Sequence, residues 1–171
     1  MRRLMTLPLA ALAASLALSS AAAGAPPTQE RVVIDDAFTI PKGEVCDFPG
    51  DIRETGRILV TTHFNSDGSV DFISERPNIR ITASNPANGR FVTDSDVGLD
   101  KRVFSPDGTS DVLSTGIHFK MKSPDGGVLF RRIGLQIIHL DENGEVTSID
   151  IVGGSFDPFE EFDAALCGAL A

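Results

Sequence analysis

The chain predicts a mainly β fold: an antiparallel up-and-down meander, barrel-like or strongly curled, with one α-helix at its C-terminal end. Three observations carry this. Turn signals recur at near-even spacing, the segments between them alternate apolar and polar with period two, and the pattern changes to a helical period only at the end.

The turn signals are Asp67-Gly68, Asn88-Gly89, Asp107-Gly108, Asp125-Gly126 and Asn143-Gly144. Such pairs accept the positive φ that tight hairpin connections need. Their glycines are 21, 19, 18 and 18 positions apart. The segments show no other self-similarity, so they read as a meander and not a repeat protein. Between the turns lie stretches rich in Ile, Val, Thr and Phe, the residues that suit a pleated surface. Ile58, Val60, Thr62 and Phe64 fall on one face of a strand. Ile79 and Ile81 alternate with Arg80 and Thr82. Ile117, Phe119 and Met121 alternate with His118, Lys120 and Lys122, placing the first three inside. Ile133, Leu135 and Ile137 oppose Arg132, Gly134 and Gln136. One dry and one wet face per strand is the antiparallel pattern. Arg31 to Ile34 and Val45 to Arg53 are candidates for one or two further strands. Closure of the sheet into a barrel would remove its unpaired edges, with a two-sheet sandwich as the competing arrangement.

The last segment changes period. Asp157 is placed to cap a helix, with Pro158 at its first position and Glu160 completing a capping box. Phe159, Phe162, Ala165 and Leu166 then form an apolar stripe.

The N-terminus reads as a cleaved signal peptide over residues 1–25. Arg2 and Arg3 supply positive charge, Leu4 to Leu18 is an uncharged apolar run, and small residues end it at Ala21–Ala25. The run is Ala-rich and shorter than the ~20 residues a membrane span needs. Residues 26–36 follow as an extended N-terminal segment, and 37–171 as a single domain. A secreted, extracellular protein is the expectation.

Losing Arg2 and Arg3 with the leader takes the formal charge from −9 to −11. So acidic a chain repels nucleic acid and anionic membrane surfaces. It suits a basic partner or cation-rich surroundings, and charge also keeps a secreted protein soluble.

Two cysteines in an exported chain most simply pair. Cys46 lies in a short strand-like segment and Cys167 on the terminal helix. A bridge closing 121 positions contributes on the order of 4 to 5 kcal/mol in chain-entropy terms. It would pin the helix to the start of the fold.

No motif for a cofactor stands in the chain, and neither a nucleophile elbow nor a phosphate-binding loop occurs. No catalytic residue and no metal ligand is assigned. His63, His118 and His139 lack helical or paired-cysteine spacing to any other ligand, and His118 falls on the wet face of its strand. Asp94, Asp96 and Asp100 echo the opening of a calcium loop, but Ser105 stands where the bidentate Glu should be, so a polar loop is the simpler reading. Adjacent acids such as Asp35-Asp36 point to opposite faces of a strand and cannot share a proton. The chain holds 11 Phe and neither Trp nor Tyr. That argues against a sugar-binding surface and for a dry interior or a Phe-lined cavity.

Phe38 to Phe48 reads F-x-x-P-x-G-x-x-C-D-F, with Pro41, Gly43, Cys46 and Asp47 in place. With Leu166-Cys167 and Leu170 at the other end, the chain resembles a family of small exported bacterial proteins with a β-rich middle and a closing cysteine. The resemblance carries no activity, so no functional residue transfers. The expected shape is also similar to allene oxide cyclase-like and lipocalin-like barrels, by architecture alone.

The function that follows is a secreted, non-enzymatic protein that binds a small apolar ligand or an extracellular protein partner. The alternatives are a barrel enzyme of isomerase or cyclase type, and an extracellular inhibitor or envelope-associated interaction protein. An empty Phe-lined cavity would favour the ligand. Inward-pointing polar groups such as His63 or Arg131 would favour the enzyme, and a filled interior the partner protein.

Overall fold

A computed structural model describes residues 25–171, so the signal peptide expected over 1–25 lies almost wholly outside the described residues. Seven strands follow one another: β1 (Thr28–Ile40), β2 (Gly50–Phe64), β3 (Val70–Ser84), β4 (Phe91–Phe104), β5 (Ser110–Lys122), β6 (Val128–Leu140) and β7 (Val146–Phe156). They form one sheet in chain order, every neighbour antiparallel. A 3-10 turn (Phe159–Glu161) leads into α1 (Phe162–Leu170).

The meander and the terminal helix are as the sequence indicated; the two-sheet sandwich is not. The sheet is open, because β1 and β7 each pair on one side only. Residues 28–36, expected as an extended segment ahead of the domain, are integral to it: Arg31 faces Leu59 and Ile34 faces Gly56 in the β1–β2 ladder. The segment around Cys46 is not a strand but part of the irregular connection over residues 41–49.

Four of the remaining connections share one design, while the β3–β4 loop is one residue longer, with Asn85 N donating to Arg90 O. In the β2–β3 turn, Gly68 N donates to Asn65 O and Asn65 N to Ser69 O, at 3.0 and 2.8 Å. Asp67 accepts from the backbone N and the hydroxyl of Ser69. Only the glycine has positive φ, at +88°. A mirror-image two-residue hairpin would need its Asp in that region as well. These four loops are therefore type I turns followed by a left-handed glycine, a three-residue design that still feeds the right-handed twist of the strands.

Register decides which side chains share a face. Ala83, Val92, Met121 and Phe130 form the core with Leu166 and Leu170 of α1, which defines the covered, concave face. On β5 the alternation breaks: Ile117 pairs with Ile133 but Phe119 pairs with Arg132, leaving His118 as an extra residue. A bulge of this kind puts two successive residues on one side. His118 therefore joins Phe119 and Met121 on the concave face, and Ile117 goes to the convex one. That corrects the placement of both His118 and Ile117. Met121 is fully buried, while Lys120 and Lys122 on the convex side are only half-buried.

A row of facing glycines crosses the concave face: Gly98 opposite Gly116, Gly116 opposite Gly134, Gly134 opposite Gly154. A Cβ at Gly134, whose φ is +149°, would run into the carbonyl oxygen of Gly153 on the next strand. The backbones approach too closely for any side chain, and the sheet curls along this line.

The helix is fastened at three places. Its sequence, rich in Ala and Leu, favours the helix intrinsically, and Leu166 and Leu170 bury its inner side. Asn85 and Asn88, in the β3–β4 turn, donate side-chain N–H groups to Leu170 O, both at 3.0 Å, covering a carbonyl the helix end leaves free. The sulfurs of Cys46 and Cys167 stand at bonding distance, with Cα atoms 5.5 Å apart. At the other end, Asp157 does not cap the helix. It takes part in the sheet, its N donating to Arg131 O at 2.8 Å and its carboxylate accepting from Arg131 N at 2.7 Å.

Candidate functional site

The helix does not lie flat on the sheet. Between α1 and the concave face is a cavity of about 230 Å³. Its walls are Phe38 of β1, Ile52 of β2, Ile81 of β3, Phe119 and Met121 of β5, and Phe162 of α1. Period-two alternation brings the strand residues to one side, and the bulge at His118 turns Phe119 inward. Phe119 meets Phe162 and Phe130 edge to face, with centroids 5.7 and 6.4 Å apart. Such pairs hold the rings in one orientation. The volume falls below the roughly 300–1,000 Å³ of drug-sized ligand sites, so the space suits a short, compact molecule.

Three carboxylates also line this cavity: Glu54 of β2, Asp94 of β4 and Asp163 of α1. Asp94 is buried, and its Oδ1 accepts from Ser95 N at 2.6 Å and Lys120 N at 2.5 Å. Burial nonetheless pushes its carboxyl above the usual range, the two hydrogen bonds offsetting only part of that cost.

The concave face continues beyond the cavity as a polar belt. Asp96 and Asp100 follow Asp94 along β4. Burial, then the charges of Asp100 and Asp94, push Asp96 up to about 6. The Ser114 hydroxyl bonds to Asp100 and lies 3.1 Å from His118 Nδ1, and His118 Nε2 lies 3.3 Å from Gly134 O. Burial holds the His118 ring toward its neutral form, outweighing its bond to Gly134 and the attraction of Asp100. Arg132, 6 % exposed, is sandwiched between Phe159 and Phe156, 3.7 and 5.1 Å from their centroids. It donates to Asp157 O and Gln136 Oε1 and ties the 3-10 turn to the sheet.

The acids of Asp94, Asp96 and Asp100 therefore stand on a strand, paired with Ile81, Ile79 and Glu75 of β3, and not in the loop the calcium-like spacing suggested. Period two was the informative spacing, since it puts all three on one face. His63 and Arg131 are on the convex side, where His63 stacks on Phe72 at 4.0 Å and Arg131 is exposed. His139, also on the convex side, bridges Asp111 and Asp150 at 2.7 and 3.2 Å. Hydrogen bonds to these two raise its pKa. The histidine and the buried arginine that do point inward are His118 and Arg132, which sequence reasoning assigned no role. No group of three or more His, Cys, Asp or Glu able to hold a metal occurs among the described residues.

Fold and site together define a helix-capped, open β-meander with a small apolar cavity beneath the helix. No protein-family model, no curated protein and no solved structure matches the chain. Among the described residues no helix is long and apolar enough to cross a membrane.

Proposed function

We propose that the chain is a secreted, non-enzymatic protein that binds a small apolar ligand. The observation that carries this reading is the cavity between α1 and the sheet, walled by Phe38, Phe119 and Phe162. Concave, mostly apolar sites with a few convergent polar groups are where small molecules bind. The Cys46–Cys167 link supports an oxidising, extracellular setting. It also holds the helix over the cavity, so the site exists before the ligand arrives and binding does not have to order it.

Titration of the native protein with an apolar fluorescent dye tests this. Saturable binding with a negative heat-capacity change is expected, lost when Ala83→Phe fills the cavity while the melting transition stays cooperative. A flat titration with native protein would overturn the reading.

A second reading, an isomerase or cyclase, draws on His118, Ser114 and Asp100 in the polar belt. A neutral imidazole beside carboxylates can move protons. This group is absent from the walls of the apolar cavity, which favours the binding reading.

A further inference from the structure

We propose that the cavity selects a cationic amphiphile: a protonated amine head on a short apolar body. This rests on the ligand-binding reading above and specifies the ligand's chemistry.

The lining is one-sided in charge. Glu54, Asp94 and Asp163 reach the cavity, and no Lys, Arg or His does. None of the three takes part in an ion pair among the described residues, where the pairs are Arg53 with Asp35 and His139 with Asp111 and Asp150. Asp94 is the most demanding. It is 8 % exposed, and both its hydrogen bonds reach Oδ1, so Oδ2 has no protein donor and keeps only what solvent access remains to it. A carboxylate taken out of water without a counter-charge is costly. An ammonium group supplies both the charge and the missing donors.

The whole sheet is arranged the same way. On the concave face, register places Asp36, Glu54, Glu75, Asp94, Asp96 and Asp100, with Arg102 and Arg132 as the bases there. Arg53, Arg57, Arg80, Lys101, Lys120 and Arg131 take the convex face. In a chain of net charge −9, acids outnumber bases on the concave face and bases outnumber acids on the convex one, where Asp35, Asp51, Asp111 and Asp150 also stand. A concave wall of one sign focuses its field and concentrates counter-ions. The three phenylalanine rings add faces that attract a cation and edges that pack an apolar tail. An anionic ligand of the same shape would meet three carboxylates and gain none of this.

Acid should weaken binding. The titratable and charged groups around the head-group position are Asp94, Asp96 and Asp100 on β4, Asp36 on β1 opposite Glu54 on β2, Asp163 on α1, His118 on β5 and Arg132 on β6. Protonation of Asp94 or Asp96, both raised by burial, removes attraction for a cation, and a charged His118 would repel it.

Isothermal titration of the disulfide-intact protein with octylamine, octanol and octanoate at neutral pH tests the inference. Octylamine should bind about tenfold more tightly than octanol, with octanoate weakest. Salt should narrow the gap. Asp94→Asn keeps an acceptor for Ser95 N and Lys120 N and should abolish the preference while leaving octanol binding intact. Should that variant fail to fold, Glu54→Gln should reduce the preference severalfold. Equal affinity of the wild type for octylamine and octanol would overturn the cation inference and leave the apolar-ligand reading standing. Binding of none of the three would overturn both.

Discussion

Replacing Asp96 with Asn should stabilise the protein at neutral pH, and the gain should vanish in acid. Asp96 is half-buried on the concave face of β4. Lost hydration, then the neighbouring charges of Asp100 and Asp94, raise its pKa from 3.8 to about 6. A raised acid holds more protons folded than unfolded between those two values. Stability therefore falls as pH rises through this window: there is no penalty below 3.8 and the full penalty above about 6. At about 1.36 kcal/mol per unit, the shift sets a ceiling of about 3 kcal/mol. The side chain is only partly buried, so solvent screening reduces the usable part to about 1 to 1.5 kcal/mol. Asn keeps the shape and lacks the charge, as the protonated acid does. Urea titrations of both proteins at pH 7.5 and pH 4, with unchanged m values, should show the variant ahead by that amount at the higher pH and level at the lower. Equal differences at both pH values, or a variant less stable at pH 7.5, would refute the account of Asp96 as a charge held against its neighbours.

Four further outcomes follow. Cys46→Ser should cost on the order of 4 to 5 kcal/mol for a linked separation of 121 positions, read as a large fall in melting temperature; thiol labelling of the denatured, unreduced wild type should find no free cysteine. Phe130→Ala, at a residue 1 % exposed, should cost about 3 to 5 kcal/mol, whereas Val33→Ala, at 71 % exposure, should stay within about half a kcal/mol by chemical denaturation. Gly134→Ala should prevent folding, because its Cβ meets the backbone of β7, while Gly126→Ala, with open space around it but φ at +88°, should cost only about 1 to 2 kcal/mol. In an NMR titration His139 should change protonation above pH 6.5, raised chiefly by its bond to Asp111, and His118 below it, lowered chiefly by burial. The attraction of His139 for Asp111 and Asp150 should thus be present below pH 6.5 and lost as pH rises past its folded value. The reverse order of the two histidines would show that their partners are misassigned.

The meander was legible because it is a local property. Asp-Gly and Asn-Gly pairs bend the chain where they stand, β-branched runs extend it, and alternation sorts faces within each strand. The pairing order follows, since short turns leave each strand no neighbour but the next. The terminal helix was visible in its period, and its fastening only in part. Its expected capping residue, Asp157, serves the sheet, because Arg131 of β6 offers it a backbone N–H; Asn88, which read as half of a turn signal, holds the helix end.

The site was less legible, for the same physical reason throughout. A single extra residue in one strand, His118, reverses every side chain beyond it, and its position depends on how β5 meets both β4 and β6. Without the bulge, Ile117 and Phe119 belong together; with it, Phe119 walls the cavity and Ile117 faces out. The glycines at 98, 116, 134 and 154 repeat at the hairpin spacing and were open to view, but their meaning is a close approach between strands, which exists only once the strands are paired. Sequence alone determined the alternation, the turns, the acidity and the two cysteines. Tertiary structure decided that Glu54, Asp94, Asp96 and Asp100 share the concave face, that the sheet stays open, and that the helix stands off far enough to leave a space, because each of these depends on distances between residues that the chain order keeps far apart.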